Sequence, residues 1–290
     1  MRKKISYYLI YGFASALIIW SLQELFLYLF NDLPVSESLT GALYGALCGG
    51  LYGGLIAGME GFFSGSKFLL KKGLRLGVIF GTIGGLVSFY IVDQIVRFAA
   101  LTDLNPMVPL VVYSLRWLTI ALCIGFAIGI RDRNHLTLVR TIISGLLSGI
   151  TGGLIISFSI QYIESILLAR GIGLIVFGML LAGSVYHFSF YGRKSWLKVL
   201  NGKLEGMEIE LTKEIHYFGT QDNDDINLQD YQEVQQAHAK LIRYFDNYSL
   251  VDNDPFCQTF VNFRGIKEQF LKNGDILKIG TALFQYCTVE

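Results

Sequence analysis

The sequence predicts a mixed fold: an N-terminal all-α polytopic membrane domain of six helices, arranged as three two-helix repeats, followed by a C-terminal all-β sandwich. Three observations carry this expectation. Hydrophobic residues make up 52% of the 290 residues and charged residues 16%, with a mean hydropathy of +0.47, whereas soluble domains carry about 25% charged residues. The charge is divided. Residues 1–195 hold 15 Lys and Arg against 8 Asp and Glu, a balance of +7, and residues 196–290 hold 9 against 15, a balance of −6. Glycine divides the same way, 26 of 32 falling before residue 196. The expected domains are therefore residues 1–194, a Gly-rich transmembrane unit, and residues 195–290, a small acidic unit, and a soluble enzyme is disfavoured.

A helix needs about 20 apolar residues to cross the hydrocarbon core. Six segments qualify, at 6–30, 41–63, 74–98, 109–130, 141–167 and 171–191. Pro34, Asn105-Pro106 and charged residues separate them, and Ala169-Arg170-Gly171 is the expected hairpin turn between the last two. Arg2-Lys3-Lys4 before an apolar run resembles a secretory signal, but the run continues to Phe30 without a small-x-small cleavage site, which makes it a retained helix. Thirteen Lys and Arg fall on one side of the expected spans and only Arg97, Arg116 and Arg170 on the other. Positive residues stay inside, so a multi-pass protein of the cytoplasmic membrane is expected, with both termini cytoplasmic.

The odd-numbered helices align without gaps: Gly12–Leu17, Gly81–Leu86 and Gly149–Leu154 lie 69 and 68 residues apart. Repeats of this kind mark a structural unit stacked on copies of itself, and units of two spans share one orientation, with their axis along the membrane normal. In the second helix Gly41, Gly45, Gly49 and Gly53 recur every four residues. Small residues at that spacing let helix backbones approach closely, so tight packing is the plainer reading and a pore or moving interface the sharper one. Twelve positions after each aligned glycine come Glu24, Asp93 and Gln161, with Arg116 at similar depth. Ionisable groups there face the bundle interior, paired or hydrated. A group of Glu24, Asp93 and Arg116 suits either an ion or solute path or a structural ion pair near the interface.

From Trp196 the period becomes alternating. Short strands are expected at 196–200, 208–211, 214–218, 239–244, 248–251, 276–279 and 282–286, with Asn201-Gly202 a hairpin-turn signal. Many short strands in so short a segment argue for a β-sandwich. The four cysteines and four histidines show no disulfide framework and no metal-ligand spacing, and no nucleophile–base pair stands out, so no catalytic residue, metal or cofactor is expected. Asp222, Asp224 and Asp225 lack the glycine and terminal glutamate of an EF-hand loop and read as a solvated acidic loop.

Phe218-Gly219 with Asp224-Asp225-Ile226-Asn227-Leu228, then Val234 and His238-Ala239, then Thr259-Phe260-Val261-Asn262, then Leu271 to Gly280 with Gly274-Asp275, resemble in order and spacing the forkhead-associated (FHA) domain over residues 196–287. The resemblance implies a phosphothreonine-peptide fold in which Gly219, His238, Asn262, Gly274 and Asp275 are structural. It also implies which positions would meet phosphate, and these are altered. The family's arginine is Thr220 and the neighbouring serine Gln221; the later serine and basic residue are Gln235 and Gln236; Phe256 and Cys257 stand in the apical loop. Phosphate recognition uses charge-assisted hydrogen bonds, which these residues do not supply. The module is similar in kind to the degenerate FHA domains of bacterial secretion-system membrane rings. The expected function is a membrane anchor or scaffold presenting a cytosolic protein-interaction module without dependence on phosphate. Its expected partners are the lipid bilayer, a cytosolic protein and a further copy of the chain, with no nucleic acid. The alternative is a small-solute or ion transporter or channel regulated by that module.

Overall fold

The computed structural model describes residues 5–30, 36–101, 107–132, 135–190, 193–245, 247–253 and 258–288. The chain divides into two compact units, Met1–Phe62 with Leu70–Tyr191, and Phe63–Leu69 with Gly192–Glu290.

The first unit holds α1 (Ile5–Phe30), α2 (Glu37–Ser64), α3 (Lys67–Leu101), α4 (Met107–Asp132), α5 (His135–Tyr162) and α6 (Ile166–Phe190). All six are long and apolar enough to cross a membrane. Hydroxyl N-caps set several starts, because a side-chain oxygen can take an N–H that the first turn leaves without a partner. Ser36 accepts from Leu39 N at 3.4 Å, Ser66 from Leu69 N at 3.4 Å and Ser165 from Leu168 N at 3.5 Å. The last of these corrects an expected boundary. The break between α5 and α6 falls at residues 163–165 and not at Ala169-Arg170-Gly171, because Ser165 opens α6 and Arg170 lies inside that helix.

Glycine decides how the helices meet. Along α2 and α3, Gly45 faces Gly85, Gly49 faces Gly81 and Gly53 faces Gly77, each so close that a Cβ would collide with the opposing carbonyl oxygen. Such contact gives short-range dispersion and weak Cα–H bonds where lipid supplies no hydrophobic drive. The three aligned glycines make equivalent contacts: Gly12 meets Gly178 of α6, Gly81 meets Gly49 of α2 and Gly149 meets Leu118 of α4. Each odd helix thus lies against the even helix before it, and α1 lies against α6. The even helices each contribute one large ring to the interior. Tyr52, Trp117 and Phe177 meet edge-on with centroids 5.1–6.5 Å apart, and Tyr52 donates its hydroxyl proton to the Leu174 carbonyl at 2.8 Å.

The second unit contains two sheets. One has the order β2 (Glu208–Glu210), β1 (Ser195–Val199), β11 (Ala282–Thr288), β10 (Ile276–Ile279), β7 (Thr259–Val261), β8 (Arg264–Gly265). The other runs β4 (Ile226–Asn227), β3 (Ile215–Gly219), β5 (Ala239–Tyr244), β6 (Asn247–Asp252), β9 (Glu268–Phe270). All pairs are antiparallel except β3 with β4. Inward positions alternate along β1 and β11, and Leu197, Phe218, Leu241, Leu250, Leu277, Phe284 and Tyr286 form the core. The short strands β4, β7, β8 and β9 are too brief to show a period. Asn201-Gly202 does not make the two-residue turn that the dipeptide signals. It lies within residues 200–207, where Asn201 bridges to Thr281 O and Leu283 N instead. The side chain is taken up by the neighbouring connection, so the longer loop is preferred.

His216 is buried on β3, and its Nε2 accepts from Thr212 N and Lys213 N, each at 3.1 Å. Both bonds require the neutral ring. Burial pushes its pKa down, Asp225 pulls it up and Lys213 lowers it further, leaving it below its ordinary value of 6.5.

Two predictions follow from these contacts. Replacing Gly81 with Ala should push α2 and α3 apart and cost about 1–3 kcal/mol, seen as a lower unfolding midpoint in mild detergent. Gly58→Ala, whose new methyl would lie 3.3 Å from Leu70 Cδ1 and Leu74 Cγ, side-chain atoms and not an opposing carbonyl, should cost less. For His216, the unfolded ring takes up its proton at higher pH than the folded ring. Stability that is full above 6.5 should therefore be lost as pH falls through the lowered folded value. NMR titration of the full chain, with the resonance assigned through His216→Gln, should give a midpoint below 6.5; a midpoint at or above that value would contradict the buried neutral ring.

Candidate functional site

The loops that leave β3 and enter β5 carry the residues expected to form a recognition surface. Gly219 ends β3 where only glycine fits, since a Cβ would lie 2.5 Å from Ala237 N and still closer to the Asp224 carboxylate. Asp224 instead accepts the Gln221 backbone N–H at 2.9 Å. Thr220 is half-buried, and its carbonyl accepts from Gln229 Nε2 at 2.9 Å; the same amide reaches Asp222 at 3.1 Å. Gln221 and Gln236, fifteen residues apart, join through Nε2 and Oε1 at 2.9 Å. Gln235 is exposed, and its N–H donates to His238 Nδ1 at 3.3 Å. His238 is wholly buried, its carbonyl accepting from Asn253 N at 3.0 Å. Phe256 and Cys257 lie outside the described residues.

At the opposite end Asn262 ties the turn after β7 to β10. Its amide donates to Asp275 at 2.8 Å and its side-chain oxygen accepts from Ile276 N at 2.9 Å. Asp275 also accepts from Lys272 N at 2.8 Å, and Gly274 adopts φ +92°, a left-handed conformation that glycine takes without strain.

The loop surface is rich in carboxylates, two of which are paired, Asp225 with Lys213 and Asp230 with Lys203. Partial burial pushes the Asp225 carboxyl up, but bonds from Lys213 Nζ at 2.5 Å and from Tyr217 N at 3.2 Å hold it below its ordinary value. It stays ionised beside Asp222 and Asp224. Its ion-pair partner is Lys213, and the nearby loop amides are bonded within the loops, with the Gln221 backbone N–H taken by the Asp224 carboxylate. Among the described residues no group of three or more His, Cys, Asp and Glu side chains comes together to hold a metal ion.

In the helical unit the polar positions form two separate pairs. Asp93 of α3 bonds Arg116 of α4, whose guanidinium lies 4.8 Å over the Phe89 ring. Glu24 of α1 bonds Arg170 of α6 through a two-pronged contact at 2.8 and 2.7 Å. The expected grouping of Glu24 with Asp93 and Arg116 is thus divided, because Arg170 sits on α6 facing α1. Gln161 is exposed on α5 and joins neither pair. Two interior groups escaped the sequence reading. Gln23 is buried, its Oε1 accepting the Cys48 thiol at 3.8 Å while its Nε2 has no partner among the described residues. Arg131 is buried at the far end of α4, bonded to Glu60, to the Ala57 carbonyl at 2.6 Å and to Asp132 at 2.6 Å. Its position in a charged terminal Arg131-Asp132 pair gave no sign of burial.

Comparison with known proteins bears on the second unit alone. Residues 198–290 match the family model described as the inner membrane component of the type III secretion system, cytoplasmic domain. The helices before it are unassigned, and a search of curated proteins found no match to the chain. Among solved structures, the FHA domain of the CT664 protein from Chlamydia trachomatis is 27% identical, covering 33% of this chain and 99% of that one, with a TM-score of 0.31. A domain from a study of phosphothreonine-dependent FHA interactions is 20% identical, with coverage of 33% and 98% and a TM-score of 0.31. The cytoplasmic domain of the sorting-platform protein PscD from P. aeruginosa is 15% identical, with coverage of 33% and 82% and a TM-score of 0.31. The chain therefore carries six apolar helices followed by a β-sandwich that resembles FHA domains, and that sandwich matches a secretion-system family.

Proposed function

We propose that the protein is a membrane-anchored scaffold whose sandwich docks a cytosolic protein without requiring phosphate. The observation that carries this reading is the bonded loop surface. Gln221 is tied to Gln236, its N–H is tied to Asp224, and Asp222 lies beside them on the Gln229 amide. A phosphate of charge about −1.5 to −2 would meet repulsion there and no convergent arginine. The family match supports a partner belonging to a secretion assembly and a scaffold that acts in several copies. The excess of Lys and Arg on one side of the helices supports placing both termini and the sandwich in the cytoplasm.

The transporter or channel reading has less support. Tyr52, Trp117 and Phe177 fill the interior where the even helices converge, and the three arginines on the Glu24 and Asp93 side are matched by carboxylates, Arg97 by Glu37, Arg116 by Asp93 and Arg170 by Glu24.

Titration calorimetry of the full chain in nanodiscs tests the scaffold reading. A degenerate phosphothreonine peptide library should bind no more tightly than its unphosphorylated counterpart. Phosphate-dependent binding that disappears in Thr220→Ala would overturn it. Reporter fusions at either terminus should register the cytoplasmic side; activity on the far side would reverse the orientation.

A further inference from the structure

The second unit contains the turn Phe63–Leu69 as well as the sandwich. Within this unit lies a cleft of about 560 Å³, a size usual for small-molecule sites. Ser66 and Lys67 line it from the turn, and Lys198, Lys203, Glu205 and Gly206 line it from β1 and the loop that follows.

The loop wall is braced from several directions. Gly206 N donates to the Val199 carbonyl at 2.9 Å, the Tyr231 hydroxyl donates to the Asn201 carbonyl at 2.7 Å, and Asn201 bridges to Thr281 and Leu283. Gly206 has φ +83° and comes so near the turn that a Cβ there would lie 2.8 Å from that of Ser66. Only glycine allows both the left-handed backbone and the close approach. A wall already held in place costs little further ordering when a ligand binds.

The chemistry of the lining is that of an anion receptor. Three ammonium groups line the cleft with one carboxylate, Glu205, although residues 196–290 as a whole carry a balance of −6. Lys67 and Lys198 make no ion pair among the described residues, and Lys198 is half-buried. Lys203 meets Asp230 at 3.8 Å, but the two side chains are 68% and 67% exposed, and a pair so solvated is worth little. Ser66 is 5% exposed; its Oγ accepts from Leu69 N at 3.4 Å, and its hydroxyl proton has no acceptor among the described residues. A buried hydroxyl calls for a partner, and the ammonium groups favour one that is charged. A lone carboxylate would engage one lysine. Phosphate offers three strong acceptor oxygens and a charge of about −1.5 to −2, which suits several lysines and a hydroxyl at once.

We propose that this cleft binds a phosphate-bearing anion, either a soluble phosphate ester or the headgroup of an anionic phospholipid. Its lining residues are not those of the bonded loops around Thr220 and Gln235, so the proposal does not rest on the docking reading.

The test is lysine reactivity in the full chain in nanodiscs, read by mass spectrometry after trace labelling with N-hydroxysuccinimidyl acetate at constant ionic strength. A phosphate held beside a lysine favours the ammonium form, which does not react. In phosphatidylcholine discs, added pyrophosphate should slow labelling of Lys67 and Lys198 at least about threefold, while Lys240 on β5, outside the cleft, keeps its rate; this pattern identifies a soluble ligand. The same pattern in discs containing equal parts phosphatidylglycerol, without pyrophosphate, identifies a lipid headgroup. In Lys198→Gln the protection of Lys67 should disappear from whichever arm showed it, and in Thr220→Ala it should persist. Absence of protection in both arms would overturn the proposal, as would equal protection of Lys240 or protection of Lys67 that survives Lys198→Gln. Protection lost in Thr220→Ala would instead place the phosphate at the bonded loops and count against the docking reading as well.

Discussion

How closely two helix backbones can approach governs the whole helical unit. In lipid, burying apolar side chains brings little gain, since hydrocarbon surrounds both the packed and the separated helix. Attraction has to come from atoms brought within a few ångströms, and only glycine allows that along an entire face. Once α2 and α3 meet through Gly45, Gly49 and Gly53, the larger groups are displaced to the other faces of α2. There Tyr52 reaches Trp117 and Phe177. The ion pairs are then matched locally, Asp93 to Arg116 and Glu24 to Arg170, so that no charge in them faces the interior alone.

The sandwich obeys a different rule. Its core is held by ordinary alternation, and its individuality lies in loops whose polar groups bond to one another. Gln221, Gln229, Gln236 and Asp224 form bonds that a convergent cationic pocket would leave open for a ligand. Under the proposed scaffold reading, such a surface would gain little from a single strong anion and more from a broad partner that meets many weak donors and acceptors at once.

The helices were legible in the sequence because length and hydropathy suffice to identify a segment able to cross a membrane, and Gly12, Gly81 and Gly149 marked faces on which the odd helices meet a neighbour. The sequence misplaced the last hairpin because Arg170 resembled a loop charge, while the Ser165 cap that starts α6 is a single hydroxyl in a polar-poor region. Glu24 was recognised and its partner was not, since pairing between α1 and α6 joins positions 146 apart. In the sandwich, strands of four or more residues showed their period, whereas β4 and β8, two residues each, were set by their neighbours. The altered loop positions were readable from the resemblance; their mutual bonding, which depends on loop conformation, was not.

The contacts at Gly12, Gly81 and Gly149 also limit how such a unit can change in size. One residue inserted into α3 would turn every later side chain by about 100°. The glycine face would rotate off α2, and the face carrying Gly84, which meets Cys123 of α4, would rotate off its neighbour as well. Because each odd helix is keyed to partners on two sides, small changes in length are not absorbed within it.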